Sequence, residues 1–237
     1  GKSEMYQFLS ENNKYVFVNL DDAIQNEKTE KNLRITFSQK DKNASVFINR
    51  ITANPFVEID YNGIKVKSNL IGLYNANNIN AAIAIGKYFK VSDEEIKEAI
   101  ESYVPENNRS QMLVKNSNEI ILDAYNANPS SMEVAIKNFV QLDKKNKVAI
   151  LGDMFELGEE SLAEHKNIIS LLENKADVKT YFIGKDFYAN KIENSHISFF
   201  ENFEYFSDFL QNEDFQNSMI LIKGSRGMAL ERTLELL

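Results

Sequence analysis

Residues 119–142 read EIILDAYNANPSSMEVAIKNFVQL, and the order of chemistry in that stretch decides the fold of the second half of the chain. A short apolar run, 119–122, is the length of a buried strand. It ends on Asp123, a polar segment follows, and Pro129 stands before an apolar-periodic helix over 131–142. Ser130 with Glu133 has the spacing of a capping box at that helix start. Strand, polar loop and helix in this order make the opening unit of a parallel sheet.

The same rhythm continues outward. Strands are expected at 148–151, 180–183, 197–200 and 219–222, with helices at 161–173, 203–210 and 228–236. Alternation of this kind argues for a doubly wound α/β sheet whose right-handed crossovers bring the strand carboxyl ends to one edge. Ligands of open α/β sheets bind outside that edge. The loops expected there are Asp123 to Pro129, Gly152-Asp153-Met154, Gly184-Lys185-Asp186 and Lys223-Gly224-Ser225-Arg226.

Towards the N-terminus the pattern is mixed. Residues 3–9 read as helix and 15–20 as a buried strand. Alternating runs at 33–37, 46–50, 56–61 and 64–68 suggest an antiparallel meander. Its last two members flank Asn62-Gly63, which favours a tight type I′ turn. Residues 75–89 read as a helix with Asn78, Ala82, Ile85 and Phe89 on one stripe. Ser92 and Glu95 form a capping box for the next helix, and Pro105 to Asn108 read as a linker. The implied domains are 1–106 and 107–237.

The chain has 237 residues, a net charge of −8 and no cysteine. Without clustered Lys and Arg, sequence-independent nucleic-acid binding is not expected. Disulfides, a thiol nucleophile and a Cys-ligated zinc site are excluded. No apolar run approaches the ~20 residues of a membrane span, and residues 1–9 hold no signal-peptide core.

Several residues carry chemistry. In Gly72-Leu73-Tyr74-Asn75-Ala76-Asn77-Asn78, the amides of Asn75 and Asn78 can face one way, and a carboxamide can both donate to and accept from adenine. The plainer alternative is a cap beside a small-residue packing face. Arg109 offers a planar fork to phosphate, or is simply solvated. Asp123 can accept from ribose hydroxyls, or close a neutral loop. Lys223-Gly224-Ser225-Arg226 reads as the opening of the last helix, which would attract carboxylate or phosphate, or as a solvated loop. His165 and His196 read as ordinary, with no metal-ligand neighbour at helical spacing. Asp153 and Glu156 read as loop-solvating.

Taken together and in order, these stretches resemble the Mur ligase family along essentially the whole chain. Gly72-x-Tyr74-Asn75-x-x-Asn78-x-x-Ala81-Ala82 is similar to the adenine-side motif. Asn107-Asn108-Arg109-Ser110-Gln111 resembles the arginine segment that opens the C-terminal domain. Asp123 to Met132, Leu151-Gly152-Asp153-Met154-x-Glu156-Leu157-Gly158 with His165 beyond, and Lys223 to Arg226 resemble the forms in the member that adds D-alanyl-D-alanine.

The resemblance implies part of a central ATPase-type domain, followed by a Rossmann-like C-terminal domain with a mostly parallel sheet. It implies a cytoplasmic, monomeric ligase in peptidoglycan precursor synthesis. ATP and Mg2+ are its cofactors, and UDP-N-acetylmuramoyl-tripeptide and D-alanyl-D-alanine its substrates. On this resemblance Asn75 and Asn78 face adenine, and Arg109 reaches phosphate or ribose. Asp123 meets a ribose hydroxyl. Tyr125, Asn126, Asn128, Ser130, Lys223, Ser225 and Arg226 receive the dipeptide or the acyl phosphate. Lys2, in Lys2-Ser3-Glu4-Met5, matches the lysine that is carbamylated to help hold magnesium. The family's Gly-rich phosphate loop ending in Gly-Lys-Thr or Gly-Lys-Ser has no counterpart here, nor has its UDP-binding domain. The expectation is a fragment that is inactive alone.

Overall fold

The structure is a computed structural model, and it describes residues 2–106 and 108–237, Lys2 by its backbone alone. The chain forms two compact units, Gly1–Val104 and Pro105–Leu237.

The first unit holds α1 (Lys2–Glu11), β1 (Tyr15–Asn19), α2 (Ala23–Lys28), β2 (Leu33–Ser38), β3 (Val46–Ala53), β4 (Phe56–Tyr61), β5 (Ile64–Ile71), α3 (Ala76–Tyr88) and α4 (Asp93–Ser102). Its sheet runs β1-β2-β3-β4-β5. Only the second half is the expected meander. β1 pairs with β2 and β2 with β3 in parallel, whereas β3–β4 and β4–β5 are antiparallel. The pairing of β2 with β3 sets the end of one strand beside the start of the next, Phe37 against Val46. A short excursion of the chain therefore suffices where a full parallel ladder would need a long crossover. Asn62 and Gly63 both have positive φ, 50° and 78°, and close the two-residue turn their sequence favours.

α3 lies on the sheet by the opposite stripe from the one expected. Ala76, Ile79, Ile83 and Ala84 join Val46, Ile48, Val57 and Ile59 in the core, while Ile85 and Phe89 are exposed. Both stripes are apolar at helical spacing. Packing selected the one whose small and β-branched side chains fit closely on the strands. α4 starts at the expected capping box of Ser92 and Glu95.

The second unit holds β6 (Gln111–Lys115), β7 (Asn118–Asp123), α5 (Pro129–Val140), β8 (Lys147–Gly152), α6 (Ser161–Leu172), β9 (Val178–Ile183), α7 (Lys185–Ala189), β10 (Ile197–Phe200), α8 (Phe203–Leu210) and β11 (Met219–Lys223). The sheet order is β10-β9-β8-β11-β7-β6. It is parallel except for the edge strand β6, which pairs antiparallel with β7. The last strand, β11, thus inserts between β7 and β8 and sets the carboxyl ends of all three side by side. Ile120, Leu122, Ile150, Tyr181, Ile183, Ile220 and Ile222 share one core with Phe203, Phe206 and Leu210 of α8. The intervening residues, among them Ile121, Leu151, Phe182 and Leu221, are buried as well. Burial of alternate residues on both faces is the mark of a covered parallel sheet.

Two local expectations are corrected. α5 begins at Pro129, with Asn128 as N-cap and Ser131 completing the capping box. Ser130 lies inside the first turn and does not cap. Proline takes the first helical position because its fixed φ suits that place and its missing N–H is not needed there. The expected helix over 228–236 is a pair of 3-10 segments, Arg226–Met228 and Leu230–Leu236. Ala229 between them is left-handed, with φ 49°, and an α-helix does not continue through such a residue.

Candidate functional site

The loops after β7, β8 and β11 meet at the carboxyl edge of the second unit. Register sets Lys223 of β11 opposite Asp123 of β7. The Lys223 ammonium donates to Asp123 Oδ2 at 2.6 Å and to the Asn126 carbonyl at 3.2 Å. Asp123 Oδ1 also accepts from the Ser110 amide at 3.1 Å. Lys223 is 2 % exposed, so it is a buried counter-ion and the fastener of the Asp123–Asn126 loop. The side chain expected to receive substrate is thus already engaged within the protein, as a buried lysine must be.

Ser225 is engaged in the same way. It is buried, its amide donates to the Asp153 carbonyl, and its hydroxyl accepts from the Phe155 amide at 2.9 Å and lies 3.4 Å from the Ala127 carbonyl. One side chain therefore touches the loops after β7 and β8 while belonging to the loop after β11. Gly224 permits the approach, since a Cβ there would stand 3.2 Å from the Gly152 Cα.

Arg109, Tyr125 and Arg226 form the outward face of this junction. The Arg109 guanidinium lies 3.8 Å from the Tyr125 ring centroid and that of Arg226 5.1 Å. Both arginines are exposed. The guanidinium of Arg109, and then that of Arg226, hold the Tyr125 phenol below its usual ionisation range. Two cations held on one ring repel each other, and an anion placed between them relieves that repulsion.

The other residues expected in the site are placed as follows. Asn126 is exposed, and its side-chain oxygen accepts from the Ala127 amide. Asn128 accepts from Ser131 N and from the Ser130 hydroxyl, so both are engaged in the start of α5. In the first unit Asn75 is 8 % exposed and donates to the Ile71 carbonyl, and Asn78 donates to the Asn75 side-chain oxygen at 3.1 Å. The two amides are hydrogen-bonded to one another, and Asn75 orients Asn78. The Lys2 side chain lies outside the described residues.

Asp153 and His165 matter more than their sequence suggested. Asp153 is 4 % exposed, and its two oxygens accept from the Asp186 and Phe187 amides at 3.0 Å each. Burial pushes its carboxyl up from the usual range, against the pull of those two N–H groups. His165 is fully buried and accepts the Met154 amide on Nε2 at 3.0 Å, while Nδ1 lies 2.7 Å from the Ser161 carbonyl. That carbonyl can only accept, so Nδ1 is the donor there, and Nε2 is the nitrogen that accepts. His196 reaches the Leu172 carbonyl. Asp153, His165 and Asp186 form the one candidate metal cluster among the described residues. It does not suit an ion. The Nε2 lone pair and both Asp153 oxygens already accept backbone N–H groups, and the Asp186 carboxylate accepts from the Ser161 hydroxyl at 2.6 Å.

Comparison with known proteins gives one answer. Residues 1–86 match the Mur ligase middle domain and residues 108–226 the Mur ligase, glutamate ligase domain. A UDP-N-acetylmuramoyl-tripeptide–D-alanyl-D-alanine ligase of Borreliella burgdorferi is 30% identical over 182 residues, 74% of this chain and 39% of that protein. The enzyme of the same name from Buchnera aphidicola of Acyrthosiphon pisum is 30% identical across 99% of this chain and 54% of its own length. Among solved structures, MurF from Acinetobacter baumannii superposes with a TM-score of 0.77 at 25% identity, over 99% of this chain and 53% of that one. MurF from Thermotoga maritima, solved in complex with ADP, does so with 0.76 at 19% identity, over 94% of this chain and 52% of that one. The chain thus spans about half the length, or less, of the relatives it matches. With family matches to both units and to the loops that build the junction, the chain belongs to the Mur ligase family.

Proposed function

We propose that this chain is part of an ATP-dependent amide ligase that joins D-alanyl-D-alanine to UDP-N-acetylmuramoyl-tripeptide. The observation that carries the proposal is the Arg109–Tyr125–Arg226 stack, set where the loops after β7, β8 and β11 converge. The relatives named above are called by that reaction.

The chemistry is a problem of like charges. A substrate carboxylate must approach a triphosphate, its oxygen attacks the γ-phosphorus, and ADP leaves. The ammonium of the dipeptide gives one proton to solvent, and the free amine attacks the carbonyl carbon of the acyl phosphate; the amide forms as phosphate leaves and takes up the second proton. Fixed cations lower such barriers because they are aimed at the charge before it develops. Arg109 and Arg226 suit this task, since both are exposed on one ring and neither is neutralised by it. Asn78, steered by Asn75, supplies an amide for adenine, and Asp123 retains acceptor capacity towards a ribose hydroxyl. Tyr125 and Asn126 line the approach of the dipeptide. Asn128 and Ser130 shape that loop through the helix cap. Carboxylate activation by ATP in this family implies magnesium. The residue that the resemblance assigns to it, Lys2, has its side chain outside the described residues.

A nucleotide-sugar peptide as substrate implies a cytoplasmic reaction, and no step needs a second copy of the chain. No described helix is long and apolar enough to cross a membrane. A folylpolyglutamate-type ligase is the second reading. An apo folylpolyglutamate enzyme of L. casei shares the fold with a TM-score of 0.59 at 14% identity, but the segment from Tyr125 to Pro129 favours the dipeptide-adding member.

The test uses the reading frame that carries this chain, expressed in full, with ATP and UDP-N-acetylmuramoyl-tripeptide. Phosphate release that requires D-alanyl-D-alanine is expected. Release that proceeds equally with single amino acids overturns the proposal. Calorimetry of this chain alone with ATP is expected to give weak or absent binding.

A further inference from the structure

We infer that His165 is a positioning residue for the carboxyl-edge site, fixing the loop after β8 in the shape that seats Ser225 and so holds Arg226 over Tyr125. The inference rests on that junction being the reactive site of the proposed ligase.

The argument follows one connected line of hydrogen bonds. His165 lies in the first half of α6, fully buried, with its ring edge-on to Phe187 at 4.5 Å. Ser161, one turn earlier, takes the Nδ1 proton on its carbonyl at 2.7 Å. This fixes the tautomer, so Nε2 is the acceptor that meets the Met154 amide. Asp153, the residue before, is fastened at the same time to the amides of Asp186 and Phe187. The two anchors hold the loop at consecutive residues. Its outward groups, the Asp153 carbonyl and the Phe155 amide, are then both presented to Ser225. Ser225 is next to Arg226, and Arg226 stacks on Tyr125.

Replacing the ring by a group that neither accepts nor donates leaves the buried Met154 amide unsatisfied. A buried donor without a partner is relieved by movement of its backbone, and here the moving segment carries both contacts to Ser225. The displacement reaches Arg226, which is exposed and meets the Tyr125 ring. A shift of about 1 Å at a positioning element is enough to lower a rate by as much as a hundredfold.

The test compares His165→Gln with His165→Asn and His165→Leu. Glutamine can place an acceptor near Nε2, asparagine can place a donor near Nδ1, and leucine places neither. Two readouts are taken. In the full-length enzyme, His165→Leu and His165→Asn are expected to lower kcat about tenfold or more, with the KM for ATP held within about twofold, and His165→Gln to recover most of the loss. In this chain alone, the ultraviolet absorbance of tyrosinate, with Tyr125→Phe as the reference, follows the Tyr125 phenol. Its ionisation is expected to move up towards that of free tyrosine in His165→Leu and to stay near wild type in His165→Gln.

Folded variants in which neither kcat nor the Tyr125 ionisation changes overturn the inference. So does an equal loss in all three variants with Tyr125 unmoved, since the ring then only fills space. If the wild-type enzyme shows no release dependent on D-alanyl-D-alanine, the proposed function fails instead, and the Tyr125 readout still decides the role of His165.

Discussion

Lys223 and Asp123 form an ion pair at 2.6 Å in which the lysine is 2 % and the aspartate 14 % exposed by side chain. The pair joins two parallel strands at their carboxyl ends, two residues before Tyr125 and three before Arg226. Removing one member leaves the other as an uncompensated buried charge. Lys223→Ala is therefore expected to destabilise the second unit by about 3–5 kcal/mol. The double change Asp123→Asn with Lys223→Met should cost less than the sum of the two single changes. Denaturant unfolding of Lys223→Ala, of the singles Asp123→Asn and Lys223→Met, and of their double checks this, and additive losses across the cycle would show that the pair is not coupled.

Arg109 rests on Tyr125 and is exposed, so its removal leaves no buried group unsatisfied. In the full-length enzyme Arg109→Ala is expected to raise the KM for ATP, or to lower kcat, well beyond twofold, with little change in melting temperature. Steady-state kinetics at varied ATP decides. An unchanged kcat/KM removes Arg109 from the site.

How much of this was legible in the sequence depends on where the deciding information lay. The parallel sheet was legible because strand, loop and helix alternate within each local unit. The convergence of the loops followed from it, since right-handed crossovers leave the carboxyl ends one edge to share. The inward stripe of α3 was not legible, because the stripe through Ile79 and Ile83 and the stripe through Ile85 and Phe89 are both apolar and only the strands choose between them. Nor was the burial of Lys223 and Ser225. A loop written Lys-Gly-Ser-Arg looks the same whether its side chains face a ligand or each other. Here register set Lys223 beside Asp123. The shortest contacts of His165 are to the Met154 amide and the Ser161 carbonyl, while the Ser161 hydroxyl and the Asp153 carboxylate lie farther off, at 3.3 and 3.5 Å. The two short contacts are to backbone, which no residue pattern announces.

Gly184 is the place where a single methyl group tests the packing behind the site. Its φ is +130°, and a Cβ built there would lie 2.2 Å from Asp153 Cγ. The carboxylate cannot retreat without releasing the Asp186 and Phe187 amides. Gly184→Ala is expected to cost about 2 kcal/mol or more, within the class of strained and overpacked substitutions. Gly158 serves as the control, with φ +58° and nothing within 4 Å of the added atom. Gly158→Ala is expected to cost only about 1 kcal/mol, from backbone strain alone. Thermal unfolding of the two variants checks the difference, and equal losses would mean that contact with Asp153 is immaterial.

The tyrosines give a pH signature with opposite signs in the two units. Tyr125 ionises below the usual range for a phenol, held there first by Arg109 and then by Arg226. Tyr61 is fully buried and donates to Asp93 at 3.2 Å. Burial, followed by the charge of Asp93, pushes its phenol well above the usual range. The folded state thus holds the Tyr61 proton more tightly than the unfolded chain does. The stability this contributes is complete below the unfolded value of about 10, and it is lost as pH rises through the higher folded value. The first unit should accordingly weaken in alkali. Tyr61→Phe should flatten that decline while costing about 1 kcal/mol near neutrality for the lost hydrogen bond. Unfolding free energies measured from pH 7 into the alkaline range, for wild type and Tyr61→Phe, check both parts. A decline as steep in the variant as in the wild type would assign the alkaline sensitivity to other groups.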